Sequence, residues 1–337
     1  MILPFHYRKA YPTVVYSPLL TLILLAFNCQ ANIPLSGTIP GDTAPHTAFL
    51  YPDDDPLGDF LSLTIPLKRA GRLFLIEARI DDQSGNFVFD TGATGLVLNK
   101  TYFRKYVSYE KPSSGGSIVG LSGKVYRIMV NRIEISGMHY ENIEADLADL
   151  GHIENRRGVK ILGLFGLNMI DDFEVIFDAR NNQLMLNRTD KSGNRLDIKA
   201  FDGKFDFTRK MDIRKNILLI QGEIGNKVLS FCLDTGAETN VIGSHLPKKV
   251  LSTVQISRRS TLQGAGAGKV EVLYGTMNEF KFADHRFGKM ETIVTNLEYM
   301  SDSYGFPIDG MLGYDFWYEG IFCFNFRKGE ISFNLWR

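Results

Sequence analysis

The 337-residue chain sets 38 Lys and Arg against 38 Asp and Glu, so its formal net charge is zero. There is no global basic field to gather nucleic acid and no acidic field to gather basic partners. A hydrophobic fraction of 44% is that of a folded body with a real core, and the length suits about two domains.

At the N-terminus, Arg8 and Lys9 precede a largely apolar run that reaches Phe27. Positive charge before a short apolar stretch has the layout of a secretory signal. A membrane-spanning helix needs ~20 apolar residues, and Pro12 and Pro18 sit badly in one. Residues 1–31 are therefore read as an export signal, which leaves no membrane span in the mature chain, with an uncleaved anchor as the main alternative. Processing after Ala31 and lipidation of Cys29 both stay open, although Asn28 departs from the small residue expected before a lipidated cysteine. Residues 32–65 are rich in Pro, Gly and Asp and predict an irregular arm, with removal as a pro-segment left open. Asp53-Asp54-Asp55 within the arm reads as a solvated loop rather than a calcium site.

Residues 66–190 read mainly as strand. Leu73–Ile80 is short, apolar and bounded by turn residues, and Asp81–Asn86 is the predicted turn into a second strand ending Phe87-Val88-Phe89. Asp90-Thr91-Gly92-Ala93 follows directly. Ser117–Lys124 is a glycine-bearing hairpin with Gly120 and Leu121 at its tip. Gly163-Leu164-Phe165-Gly166 comes next, with a short helix predicted near Leu167–Asp172 and further strands at Val175-Ile176-Phe177 and Leu184-Met185-Leu186. The polar stretch Asn187–Asn194 opens an inter-lobe linker, assigned to residues 191–208.

Residues 209–337 repeat this order. Asn216–Ile220, the turn Gly225-Asn226-Lys227 and Phe231-Cys232-Leu233 lead into Asp234-Thr235-Gly236-Ala237, 144 residues after the first copy. Thr261–Lys269 matches the earlier hairpin and carries Gly264 and Ala265 at its tip. Gly310-Met311-Leu312-Gly313 falls 147 residues after its counterpart, followed by a predicted helix at Tyr314–Tyr318 and the strands Phe322-Cys323-Phe324 and Ile331-Ser332-Phe333. Each half holds the same ordered elements, which predicts two lobes of one all-β fold with a few short helices.

A lone Asp-Thr-Gly is weak evidence, since Asp and Gly are turn formers. Here it occurs twice, each time after an apolar strand, where an ionised carboxylate is costly unless paired. A pseudo-twofold axis between the lobes would bring Asp90 and Asp234 face to face. Other chemistries fit less well. Gly264–Lys269 fails the phosphate-loop pattern, with Gln263 in place of the first glycine and Val270 in place of Ser or Thr. The six histidines are scattered without metal-ligand spacing, so no metal is predicted. Cys232 and Cys323 lie in apolar runs and read as buried core residues, although an exported chain could oxidise them.

Asp90-Thr91-Gly92-Ala93, Asp234-Thr235-Gly236-Ala237 and the later Leu164-Phe165-Gly166 and Met311-Leu312-Gly313 resemble the aspartic peptidases, over roughly residues 70–337. The likeness is to the clan of pepsin and retropepsin, and is closest to bacterial retropepsin-like aspartyl proteases. It implies two duplicated acid-protease β-barrel lobes about a pseudo-twofold axis, with the active site between them. It implies further that Asp90 and Asp234 are catalytic, share one proton and activate a water. Thr91 and Thr235 would lock the loops together, while Gly92 and Gly236 leave room for substrate backbone. Gly120, Leu121, Gly264 and Ala265 would be flap tips over the substrate; two ordinary surface hairpins are the alternative. Ala93 and Ala237 stand where pepsin-type enzymes carry a hydroxyl residue, which moves the expected pH optimum to mildly acid or neutral. A peptide or protein substrate, no cofactor, no nucleic acid and a catalytic monomer complete the expectation. The rival readings are an exported non-catalytic peptide-binding protein on the same fold, an enzyme active only as a dimer of whole chains, and a two-carboxylate glycosidase, which nothing in the duplicated motif favours.

Overall fold

The computed structural model describes residues 56–111, 125–201, 203–263, 269–283 and 285–336. The export signal, Cys29, the arm as far as residue 55 and the four flap-tip residues Gly120, Leu121, Gly264 and Ala265 lie outside these. No helix among the described residues is long and apolar enough to cross a membrane.

Strand Leu73–Ile80 shows why the chain folds as it does. Its first four residues are all buried, and its last four alternate, with Glu77 and Arg79 outward and Ala78 and Ile80 inward. The change follows from what covers each face. Phe74 and Ile76 enter the main core, while Leu73 and Leu75 pack on the other side with Val88, Leu150 and Ile153. A strand covered on both faces needs an unbroken apolar run, and one covered on a single face needs alternation. The second lobe makes the same division: Leu218 and Ile220 face the main core, and Ile217 and Leu219 pack with Cys232, Leu297 and Met300. Cys232 thus stands in the packing position of Val88, and both it and Cys323 are buried and unbonded.

In the first lobe six strands close a barrel. Leu73–Ile80, Gln83–Phe89, Ile161–Phe165, Leu96–Asn99, Met138–Ala148 and Val125–Ile135 pair in that order, and Arg79 and Ile80 pair with Glu134 and Ile133 to complete it. The second lobe curls in the same way. Its counterpart of Val125–Ile135 is split into Lys269–Met277 and Phe280–Phe282, so the ladder is interrupted between them.

The lobes are joined by six antiparallel strands in the order Phe207–Lys210, Glu330–Leu335, Gly320–Asn325, Phe173–Asp178, Gln183–Arg188 and the first half of Ser62–Ala70. At its centre Ile176 pairs with Cys323, its own counterpart 147 residues on. A residue paired with its repeat equivalent marks the pseudo-twofold axis. The duplicated all-β architecture is therefore the one the repeat predicts.

Several local expectations are corrected. The predicted turn Asp81–Asn86 is a two-residue loop, because Ile80 pairs with Gln83 and the polar residues after it continue as strand. Asn187 and Arg188 are strand rather than linker; Asn187 is buried and donates to the Glu174 carbonyl at 3.3 Å. The Leu167–Asp172 helix shortens to a single 3-10 turn, Leu167–Met169, while the second is Tyr314–Trp317. Two seven-residue helices were not anticipated, Gly151–Arg157 and Glu298–Tyr304. They are repeat equivalents, each ending at a glycine in the left-handed region, Gly158 at φ 65° and Gly305 at φ 73°. A glycine there stops a helix without the steric cost of a Cβ.

Candidate active site

Each Asp loop hangs between strands that flank the apolar-apolar-Gly strand. Ile161–Phe165 runs parallel to Gln83–Phe89 on one side and antiparallel to Leu96–Asn99 on the other. Gly310–Leu312 does the same in the second lobe. The Asp90 amide donates to the Phe165 carbonyl at 3.0 Å, and the Asp234 amide to Leu312 at 3.0 Å. The glycines that end these strands are required by close packing. A Cβ on Gly166 would lie 2.3 Å from the Gly95 carbonyl oxygen, and one on Gly313 would lie 2.4 Å from that of Ala237.

The two loops interlock across the lobe boundary. The Thr91 hydroxyl donates to the Leu233 carbonyl at 2.9 Å and accepts from the Thr235 amide at 3.0 Å. Thr235 returns both bonds, to the Phe89 carbonyl at 2.8 Å and from the Thr91 amide at 3.0 Å. All four are buried, so each hydroxyl satisfies a donor and an acceptor that water cannot reach.

This lock brings Asp90 and Asp234 together. A Cβ on Gly92 would lie 2.7 Å from Asp234 Oδ2, and one on Gly236 would lie 2.6 Å from Asp90 Oδ1. Each loop glycine therefore lies against the opposite carboxyl group, and any larger residue would collide with it. Both carboxyls are 1% exposed. Asp90 Oδ1 accepts from the Gly92 amide at 2.9 Å, and Asp234 Oδ1 from Gly236 and Ala237 at 2.8 and 3.0 Å. The second oxygens, the buried Oδ2 of each, receive no protein donor; the carboxyls can bond one another only through a proton that one of them holds. Burial raises the Asp90 pKa to about 6, against the hydrogen bonds from Asp234 and the backbone. Burial, together with the charge of Asp90, raises Asp234 well above the ordinary carboxylate range. Two such groups keep a proton between them into neutral solution.

Ala93 and Ala237 are fully buried and present no hydroxyl to the dyad. Their carbonyls accept from the Leu167 and Tyr314 amides at 2.9 Å, tying each loop to the turn that follows the apolar-apolar-Gly strand. The hairpin arms are in register up to Lys111 with Val125 and Gln263 with Lys269.

Sequence reasoning missed several neighbours. Trp317 Nε1 donates to the Asp234 carbonyl at 3.1 Å, and Ile170 holds the equivalent position in the first lobe. Glu238, buried four residues after Asp234, pairs with Arg157 from the other lobe. Arg72 donates to the Glu238 carbonyl at 3.1 Å. The available signal was the difference between the two copies, since Thr94 occupies the Glu238 position in the first.

No curated protein matches the chain significantly. A family model described as aspartyl protease matches residues 76–169 and 220–316, one stretch in each lobe and each with one Asp-Thr-Gly loop. These matches span more than half of the sequence, and the chain belongs to the aspartyl protease family.

Proposed function

We propose that the chain is an exported aspartic endopeptidase of the retropepsin-like kind, with Asp90 and Asp234 as its catalytic dyad. The observation that carries this reading is the mutual approach of the two carboxyls, each against the other loop's glycine, with the Oδ2 oxygen of each free of protein donors. Carboxyl groups about 3 Å apart share one proton, a pattern for which the aspartic proteases are themselves the type case. The ionised member takes a proton from a water lying between the two, and the water oxygen attacks the scissile carbonyl carbon. The protonated member gives its proton to the carbonyl oxygen. Collapse of the tetrahedral species breaks the C–N bond, the amine leaves protonated, and the dyad returns to one proton.

Export is supported by the charged and then apolar N-terminal pattern, with lipidation at Cys29 as one route of retention at the envelope. The retropepsin-like assignment is supported by the Asp-Thr-Gly-Ala form of both loops and by a glycine-bearing hairpin in each lobe. Two Asp loops in one chain supply a whole dyad, so the active unit is one chain.

The test is cleavage of a mixed peptide library by wild type, D90N and D234N, with folding followed by melting temperature. Wild type is expected to cut, and each variant to lose about 10³-fold or more in kcat/KM. Equal cleavage by a folded D90N protein would remove Asp90 from the mechanism.

A further inference from the structure

The residue that follows the second Asp loop is held by the first lobe. Glu238 comes directly after Ala237, whose amide donates to Asp234 Oδ1 at 3.0 Å and whose carbonyl accepts from the Tyr314 amide at 2.9 Å. The Glu238 side chain is 1% exposed and pairs with Arg157. Arg157 passes over Gly71, where a Cβ would lie 2.6 Å from Arg157 Nη1. Arg72, the next residue, takes hold of the same stretch by its main chain. Its guanidinium donates to the Glu238 carbonyl at 3.1 Å and pairs with Glu291 at 2.9 Å and Asp315 at 3.4 Å. Asp315 is fixed in turn by the Glu291 amide, which donates to it at 2.6 Å. Two first-lobe arginines thus grip Glu238, one by its carboxylate and one by its carbonyl.

The repeat equivalents cannot build the same contact around Asp90. Thr94 stands for Glu238, Asn216 for Arg72, Tyr304 for Arg157 and Asn168 for Asp315. Cohesion of the lobes does not call for this ion pair. They already share the six-stranded sheet and the lock between Thr91 and Thr235. Burial raises the Glu238 pKa against the pull of Arg157, Arg156 and Arg72, and a buried ion pair gains little net stability over apolar residues of similar size. What such a pair does supply is fixed geometry, since a charge-assisted hydrogen bond is short and directional.

We propose that Glu238 and Arg157 are a positioning pair for Asp234, through which the first lobe sets the pose of the second Asp loop. The proposal rests on the peptidase reading above, in which small errors of alignment at the dyad cost rate. Glu238 acts through the Ala237 amide. With the pair broken, that amide is free to turn away from Asp234 Oδ1. Ionised Asp234 then keeps only the Gly236 donor and holds its proton more tightly. Asp90 is followed by Thr94 rather than a carboxylate, and its bond from the Gly92 amide is untouched.

The experiment compares wild type, E238Q, R157Q, R157K and the double variant E238Q/R157Q, with folding followed by melting temperature. On a peptide that wild type cuts, E238Q and R157Q are each expected to lose about tenfold in kcat with KM within about twofold. The double variant loses no more than either single one, as members of one unit do, and R157K keeps most of the rate. The second readout needs no turnover. In the D90N background Asp234 titrates without its partner, and its carboxyl carbon is followed by NMR. Its pKa is expected to rise by about one unit in D90N/E238Q, a tenfold gain in proton affinity. Removing the Glu238 charge by itself would lower that pKa, so a rise reports the lost donor and not the altered field. E238T, which installs the first-lobe residue, serves if E238Q does not fold. Folded variants that melt lower but keep kcat and leave the Asp234 titration unmoved or lowered overturn the positioning role, while the peptidase reading stands. If wild type cuts no peptide, that reading fails by itself and the titration still decides: a raised Asp234 pKa upholds the pair, and an unmoved or lowered one rejects it.

Discussion

Asp90 and Asp234 are carboxyls held where double ionisation is unfavourable, and pH is the natural probe of that arrangement. The Asp90 pKa is raised to about 6 from 3.8, so the folded protein binds a proton that the unfolded chain gives up. The stability this proton contributes is fully present below about pH 4 and is lost as pH rises through about 6. D90N removes the titration. It is therefore expected to melt above wild type at neutral pH, by roughly 2–3 kcal/mol, with the gap closing toward pH 4. Thermal unfolding of both proteins across pH 4–8 measures this. On the proposed mechanism, activity is expected to follow the opposite limb, since the water needs an ionised acceptor. The kcat/KM profile is expected to rise through about pH 6 and to fall only where Asp234, raised well above the carboxylate range, also ionises. An optimum below about pH 3 would contradict both the burial of the pair and the absence of a hydroxyl at Ala93 and Ala237.

The two Asp loops act as one interlocked element, so damage to either hydroxyl should be felt by both lobes. T91V removes a bond to the Leu233 carbonyl and leaves the Thr235 amide without an acceptor, both in dry surroundings. The expected loss is about 2–4 kcal/mol, read from urea unfolding, whereas T91S keeps the hydroxyl and should stay close to wild type. G313A tests the support beneath the loop. Its methyl would meet the Ala237 backbone, which cannot yield as a side-chain tip can, so both stability and kcat should fall. The repeat made this element legible in the sequence, because apolar strands before Asp-Thr-Gly and the later apolar-apolar-Gly share one frame. The helices were not legible. Gly151–Arg157 has seven residues and a single buried side chain, Ile153, too little to give a 3.6-residue period. Gln83–Asn86 is polar, yet it is held in strand by pairing with Glu77 to Ile80. Glu238 was visible as a difference from Thr94, but its partner Arg157 comes from the other lobe and could be found only from the fold.

At the scale of the whole molecule, the pairing of Ile176 with Cys323 puts the pseudo-twofold axis inside a continuous sheet. The sheet draws strands from both lobes, and at its ends Ser62–Pro66 pairs with Gln183–Asn187 and Phe207–Lys210 pairs with Glu330–Phe333. The aromatic contact of Phe177 with Trp317, centroids 5.8 Å apart, carries the packing from this sheet up to the Asp234 loop. In a dimer of single-motif chains the corresponding sheet would form only on association, and activity would fall on dilution as the dimer dissociated. Here both motifs lie in one chain, so on the proposed reading activity needs no such association. The rate per chain is therefore expected to stay constant on dilution from micromolar to nanomolar enzyme. Light scattering on the same sample should give the mass of one chain, no more than 38.0 kDa. A rate per chain that falls with dilution, alongside a doubled mass at high concentration, would instead require a site assembled from two molecules. The internal pairing of Asp90 with Asp234 would then not be the dyad that turns over substrate.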